Sequence, residues 1–380
     1  MKVVFETNEV LPKLVDVASV INSKNSITIL SDVCIMVKNE SVIFTASDGE
    51  NWVTERADIL TSDMDATFCT PAKDIINCLS TLRDENVTIT LDEETKMMTL
   101  DYVSGKINLP YESADDFPRP NLSVEGASEV ILNSSLVKDV INLASASTEN
   151  SAVRPIMTGV HFGFSDGHMT VNGASHKRFV KLVEEASISS SSMYSQFTLP
   201  PKAQSVIASV LDGVDEDVKL KFTDRAVTVS NRSFKITARL LEGNYPECDK
   251  IIPSENTVSI EVERETMVKA LRHVLSIENT SRLVILSLHE DSVVVSAEDI
   301  NFGRTSEEIV KCKNYTQNEL QICFNGEVLS EALRSIDGEK VIFDMSEPTR
   351  PALIYSSGDN GKDKYLNVLM PMVMQQPIVQ

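Results

Sequence analysis

The residue types that could do chemistry are present, but their spacing suits no familiar reaction. Five histidines, His161, His168, His176, His273 and His289, show no metal-ligating interval, such as the i, i+4 pair that a helix presents to zinc. The 14 glycines form no phosphate-cradling loop, and no serine occupies a Gly-x-Ser-x-Gly elbow. Asp63 and Asp65 make an Asp-x-Asp that could hold a cation, but it falls between two predicted strands. A solvated turn is the plainer reading there. With 56 carboxylates in the chain, acidic pairs carry no information. The six cysteines, Cys34, Cys69, Cys78, Cys248, Cys312 and Cys323, include no Cys-x-x-Cys. They are read as reduced thiols, most of them small apolar core residues. No catalytic residue, metal site or cofactor is expected.

The chain is long enough, at 380 residues, for two or three domains. Its 42% hydrophobic and 24% charged content fits a folded globular protein. The first twenty residues include Glu6, Glu9, Lys13 and Asp16 rather than a leader-like apolar core. No run of about 18 apolar residues occurs, so a cytoplasmic protein with no membrane partner is expected. The net charge of −21 speaks against a protein that grips nucleic acid over its whole surface.

A pattern recurs every 125 to 130 residues or so. FCTPAKDIINCLSTLRDENVTITL from Phe68, FTLPPKAQSVIASVLDGVDEDVKLKF from Phe197 and ICFNGEVLSEALRSIDGEKVIFDM from Ile322 share one order: apolar lead-in, amphipathic helix, acidic turn, alternating strand. Helical spacing links Ile75, Ile76, Leu79 and Leu82, then Val206, Ile207, Val210 and Leu211, then Val328, Leu329, Leu333 and Ile336. Pro71, Pro200 and Pro201 suit a first helical turn, where a missing N–H costs nothing. A second helix precedes each of these, in VLPKLVDVASVI from Val10, SLVKDVINLASAS from Ser135 and TMVKALRHVLSI from Thr266. Strands of period two lie between, such as SITILSDVCIMV, GVHFGF and LVILSLHE. The fold class is therefore α+β, three repeated domains, each with two helices on one side of two antiparallel sheets. Breaks in the pattern at FPRPNLSVEGASE and KIIPSENT put the domains at residues 1–125, 126–253 and 254–380.

The charge is unevenly placed. The six expected helical stretches, 8–24, 71–83, 134–150, 200–212, 263–280 and 325–336, hold ten of the 35 basic residues and eleven of the 56 acidic ones. The remainder carries 25 against 45. Only the helices offer a phosphate backbone a surface without strong repulsion. Three equal modules suggest an arc, and head-to-tail contacts close arcs into rings.

Several segments carry a family resemblance. The opening MKVVFETNEVLPKLVDVASVINSKNSITIL, YESADDFPRP at Tyr111, LLEGNYPECDKIIP at Leu240, SEPTRPALIY at Ser346 and YLNVLMPMVM at Tyr365 together resemble the bacterial DNA sliding clamps, beta subunits of DNA polymerase III. The resemblance runs over the whole chain in order and spacing. It implies a non-enzymatic processivity factor. Such a factor is a head-to-tail homodimeric ring of six domains that encircles duplex DNA without sequence preference. It implies partners that dock through short motifs: the polymerase alpha subunit, the clamp loader and other clamp-binding proteins. A cytoplasmic, nucleoid-associated location follows.

Carried residue by residue, the resemblance puts a partner-peptide pocket between domains two and three. Domain two supplies Met157, Gly173, Ser175, His176, Lys177 and Arg178. The linker region supplies Pro246, Lys250 and Ile251, and domain three Pro351, Val368, Met370, Pro371 and Met372. Methionines are flexible and polarizable, so such a pocket can accept several peptides. The chain departs from the family at GASHKR, with Ala174 where aspartate is usual and Arg178 where an apolar residue is. It also continues from Val373 to Gln380 past the Met-Pro-Met. For DNA, the resemblance places Lys24 on a contacting loop and Lys73 and Lys202 at helix starts, where free N–H groups favour phosphate. The helical pattern adds Lys13, Lys138, Lys269 and Arg272.

Two other readings compete. A β-rich surface or adhesion module array would share the strands and acidity, but two amphipathic helices per repeat count against it. A nucleic-acid enzyme using Mg²⁺ would need acids converging in one copy alone, whereas the pattern is common to all three.

Overall fold

The structure, a computed structural model, describes residues 2–22, 27–38, 40–63, 65–82, 85–122, 126–150, 153–188, 193–277, 281–299, 302–358 and 360–373. Six amphipathic helices correspond to the two helical segments of each repeat. They are α1 (Thr7–Ala18), α2 (Ala72–Ser80), α3 (Ser134–Ser145), α4 (Pro201–Val210), α5 (Arg264–Val274) and α6 (Gly326–Arg334). A single turn, α7 (Gly361–Lys364), follows near the end.

Each of the six grows from the end of a strand. Lys2–Glu6 leads into α1, Ala66–Pro71 into α2 and Ser128–Asn133 into α3; Gln196–Leu199, Val258–Glu263 and Leu320–Asn325 lead into α4, α5 and α6. Only some of the starts carry a sequence signal. Pro201 occupies the first turn of α4, and the Asn325 side chain accepts N–H bonds from Glu327 and Val328 at 3.1 and 3.2 Å. The ends fall short of the stretches drawn from sequence, at Ala18, Ser145 and Val274. Hydroxyls past or at these ends take the last carbonyls: Ser145 bonds Asn142 O, Thr148 bonds Ser145 O and Ser276 bonds His273 O. Such local bonds give the backbone an alternative to further helix. Similarly, the first part of SITILSDVCIMV is a 3₁₀ turn, Thr28–Ser31, and extended strand begins only at Asp32.

The chain folds into two compact units, residues 1–139 with 188–242, and 140–187 with 243–380. In the first, one sheet runs Thr61–Ser62, Lys2–Glu6, Asn86–Asp92, Met97–Tyr102, Gly105–Pro110. The other has nine strands. Its middle is the pairing of Asn51–Asp58 with Phe234–Arg239, in register from Phe234↔Glu55 to Ala238↔Asn51. A sheet of the first repeat thus continues into the second, and two edges that would be open are satisfied. The second unit repeats the device: Arg178–Glu185 pairs with Tyr365–Leu369 from Arg178↔Leu369 to Leu182↔Tyr365. Every strand pair described is antiparallel. The helices bury one stripe each: Val10, Leu14 and Val17 on α1, Met267, Ala270, Leu271 and Val274 on α5, Leu329, Ala332 and Leu333 on α6. The period-3.6 apolar faces seen in the sequence are these stripes.

Candidate peptide groove and helix cations

In the second unit the strands His168–Ala174 and Arg178–Glu185 are joined by a tight turn. Ser175 builds it: its N–H bonds Arg178 O at 2.9 Å, and its hydroxyl accepts the Lys177 and Arg178 N–H groups at 3.4 and 3.3 Å. The turn projects His176 and Lys177 into solvent. Beside it the chain leaves the strand Tyr365–Leu369 as an extended Met-Pro-Met. Met370 N–H bonds Lys177 O at 3.0 Å and Met372 N–H bonds Cys323 O at 2.8 Å. Pro371, which has no N–H to satisfy, lies between these two anchors.

Two hollows flank the turn and share His176. One, about 560 Å³, is lined by Lys177, Leu369, Met370, Pro371 and Met372 with Ser281, Arg282, Phe324, Asn325, Glu327 and Val328. The other, about 400 Å³, is lined by Glu149, Val153, Arg154, Met157 and Ser175. His176 Nδ1 lies 3.1 and 3.2 Å from the two Glu149 oxygens, and its N–H bonds the same carboxylate. The bond to His176 holds the Glu149 carboxyl below its usual range. Met157 and Val368 also belong to an apolar cluster with Ala174, Phe179, Cys248, Leu353 and Leu366. The hollows therefore combine apolar side chains with rims of mixed charge, in which Arg282 pairs with Glu327 at 3.3 Å and His176 with Glu149.

The expected pocket residues divide into three groups. Met157, Ser175, His176, Lys177, Met370, Pro371 and Met372 line the hollows. Pro246, Lys250, Ile251 and Pro351 lie outside both linings; Lys250 is engaged with Glu247, one turn back. Val368, Gly173 and Arg178 are buried, and the last two do other work. A Cβ on Gly173 would sit 2.0 Å from Ala144 O, so this glycine lets α3 and its strand approach. Arg178 is corrected outright as a lining residue, because its side chain is only 2% exposed. Its Nε and Nη2 donate to Asn367 Oδ1 at 2.9 and 2.5 Å, and Nη2 also to Ser335 Oγ at 2.9 Å and Tyr365 OH at 3.3 Å. Burial draws its pKa downward. Sequence reading missed Glu149, Arg154, Arg282, Phe324 and Val328. Of these only Val328 was named in the sequence, as an apolar helix position; Arg282 sits at a turn with φ +51°.

The cations assigned to DNA also divide. Lys24 lies outside the described residues. Lys13 pairs with the buried Glu55 at 3.1 Å, Lys138 with Asp212 at 3.1 Å, and Lys202 Nζ donates to Ser19 O at 2.9 Å. Lys73, Lys269 and Arg272 are exposed and form no ion pair among the described residues. Asp63 of the Asp-x-Asp accepts the Lys2 N–H at 2.7 Å, as a turn residue does. Among the described residues no three histidine, cysteine or acidic side chains gather as a metal site. His161 is stacked on Tyr245, ring centroids 4.5 Å apart, and burial lowers its pKa to about 4.

Glu55 yields a pH prediction. Its side chain is 2% exposed, and burial raises its pKa from 4.5 to about 7 against the pull of Lys13. The folded state then binds more protons than the unfolded one between those values, so this group's contribution to stability falls as pH rises through that window. Glu55→Gln should match wild type at pH 4 and exceed it by about 1–2 kcal/mol at pH 8. Calorimetric melting at both pH values checks this; parallel pH profiles for the two proteins would sink it.

Comparison with known proteins gives these features a class: the fold is that of the DNA clamps. Three family models match in succession: the N-terminal domain of the DNA polymerase III beta subunit at residues 1–123, its central domain at 131–247 and its C-terminal domain at 249–373. The chain belongs to the DNA polymerase III beta subunit family. The Beta sliding clamp of Streptococcus pneumoniae R6 is 28% identical over 367 residues, 93% of this chain and 94% of the relative. That of Staphylococcus aureus Mu50 is 22% identical over 95% of this chain and 96% of its own. The Pseudomonas aeruginosa DNA polymerase III subunit beta superposes with a TM-score of 0.91 at 21% identity, covering 98% of this chain and 100% of that one. The Bacillus subtilis sliding clamp gives 0.91 at 21%, covering 98% and 99%. As a member of this family the chain is a DNA polymerase processivity clamp, non-catalytic, with three α+β clamp domains.

Proposed function

We propose that two copies of this chain close head to tail into a ring around duplex DNA. In this reading the groove beside Met370–Met372 holds short motifs from the polymerase, the clamp loader and other partners. The observation that carries the ring is a pair of unlike open edges. Gly105–Pro110 ends the five-stranded sheet of the first unit. Arg304–Asn314, eleven residues long, pairs with Ser292–Asp299 over Arg304–Lys311, but on its other side, among the described residues, only Cys312–Asn314 find partners. Ile309 on this strand is 67% exposed. An edge that is long, exposed and partly apolar is suited to strand pairing. Two different edges joined in pairs make a heterologous contact, and heterologous contacts that close make rings. The near balance of charge on the helices, with Lys73, Lys269 and Arg272 exposed and in no ion pair among the described residues, supports their facing the phosphates. Weak attraction suits a clamp that must slide.

The domain limits proposed are 1–125, 126–253 and 254–380. The working location is the cytoplasm, beside the nucleoid; no described helix is long and apolar enough to cross a membrane. A loading assay tests encirclement. Loaded protein should stay on nicked circular DNA and slip off once the circle is cut; equal retention on both forms would reject the ring. Ile309→Asp should shift the protein from dimer to monomer in sedimentation and abolish retention on the circle. A dimer unchanged by that substitution would move the interface elsewhere.

A further inference from the structure

We propose that Cys34 and Cys69 form a reversible redox site, closing to an intramolecular disulfide under peroxide. The two residues lie on adjacent antiparallel strands, Asp32–Lys38 and Ala66–Pro71, directly opposite one another. Both belong to one buried cluster with Phe117. Directly opposed residues of an antiparallel pair have Cα atoms about 4.5–5.5 Å apart, within the Cα span of about 4.4–6.8 Å that a disulfide bridges. Both thiols are free and buried. The other four cysteines are dispersed through the fold, on α2, the 3₁₀ turn Cys248–Ile251 and two strands of the third repeat.

The pair is asymmetric, which assigns the roles. Cys34 is 9% exposed and Cys69 fully buried, so peroxide meets Cys34 first, and the nearby Arg119 charge favours its thiolate. Cys34 Sγ attacks one peroxide oxygen and the O–O bond breaks, giving a sulfenic acid and hydroxide, which takes up the displaced proton as water. Cys69 Sγ then attacks the sulfenic sulfur; the S–O bond breaks, the S–S bond forms and a second water leaves. Two thiols lose two electrons and the peroxide gains them.

Access is controlled by a cover. Phe117 packs with the two cysteines in one buried cluster, and Ala114 and Ile29 pack against it. The cover is held by Trp52 Nε1, which donates to Pro118 O at 2.8 Å. Peroxide therefore reaches Cys34 when the Ala114–Pro118 segment lifts.

The test is thiol counting on the native protein. After brief treatment with hydrogen peroxide, the protein is denatured and alkylated. Four thiols should remain of six, and the Cys34 and Cys69 peptides should appear joined and lighter by two hydrogens. Dithiothreitol should restore all six. Cys34→Ser should retain its five thiols under the same treatment. Phe117→Ala should oxidise several-fold faster. Six surviving thiols, a bridge between any other pair, or a bridge between two chains would overturn the proposal. An unchanged rate in Phe117→Ala would overturn the cover.

Discussion

Gly173→Ala is expected to destabilise the protein by about 2–4 kcal/mol, a fall in melting temperature of about 5–10 °C. The added Cβ would lie 2.0 Å from Ala144 O and 2.8 Å from Ala144 C. Both are backbone atoms of a helix, so no side chain can rotate out of the way. The strand cannot retreat either, because His168–Ala174 is bonded on one side to Val160–Ser165 and on the other to Arg178–Glu185. The strain therefore has to move α3 or break a ladder. Gly163, on the neighbouring strand, provides the control: a Cβ there meets nothing within 4 Å. Gly163→Ala should melt within about a degree of wild type, or slightly above it. Since the Ser175 turn hangs from the end of the strained strand, partner-peptide affinity should fall with stability in Gly173→Ala and not in Gly163→Ala. Equal melting temperatures for the two variants would show that α3 slides without cost.

The contrast between those glycines marks where sequence reading stops. Periodicity placed all six helices, because Val10, Leu14 and Val17 or Leu329 and Leu333 bury a face whatever lies beyond it. Helix ends were overdrawn because Ser145, Thr148 and Ser276 reclaim carbonyls locally, and residue spacing does not show whether a hydroxyl will do so. Individual lysines were harder still. Lys13, Lys138 and Lys202 look like Lys73 and Lys269, which form no ion pair among the described residues, until a partner arrives from far along the chain: Glu55, Asp212 or the Ser19 carbonyl. Arg178 shows the same limit from the other direction. The family resemblance placed it among the pocket residues, yet Asn367, Ser335 and Tyr365, more than 150 residues away, converge to hold it inside. The surface proposed as a peptide groove was only partly named in the sequence. Met370–Met372 came from the family resemblance, while Arg282, Phe324 and Val328 face them only through the folding of the third repeat.

Met370→Ala with Met372→Ala should weaken a polymerase-derived peptide by about 10- to 100-fold while leaving the dimer intact. Both side chains are half-buried and line the larger hollow, so each truncation removes apolar surface that a bound peptide would cover. The backbone path should survive, since the bonds from Met370 N–H to Lys177 O and from Met372 N–H to Cys323 O involve no side chain. The open edges proposed for ring closure, Gly105–Pro110 and Arg304–Asn314, contain neither methionine, so sedimentation should report an unchanged dimer. Titration calorimetry distinguishes this from a general loosening of the fold. A groove that has lost only its floor gives weaker binding with an unaltered melting temperature. An affinity equal to that of wild type would remove the Met-Pro-Met segment from the binding surface and leave the smaller hollow around Met157 and Arg154 as the place to look.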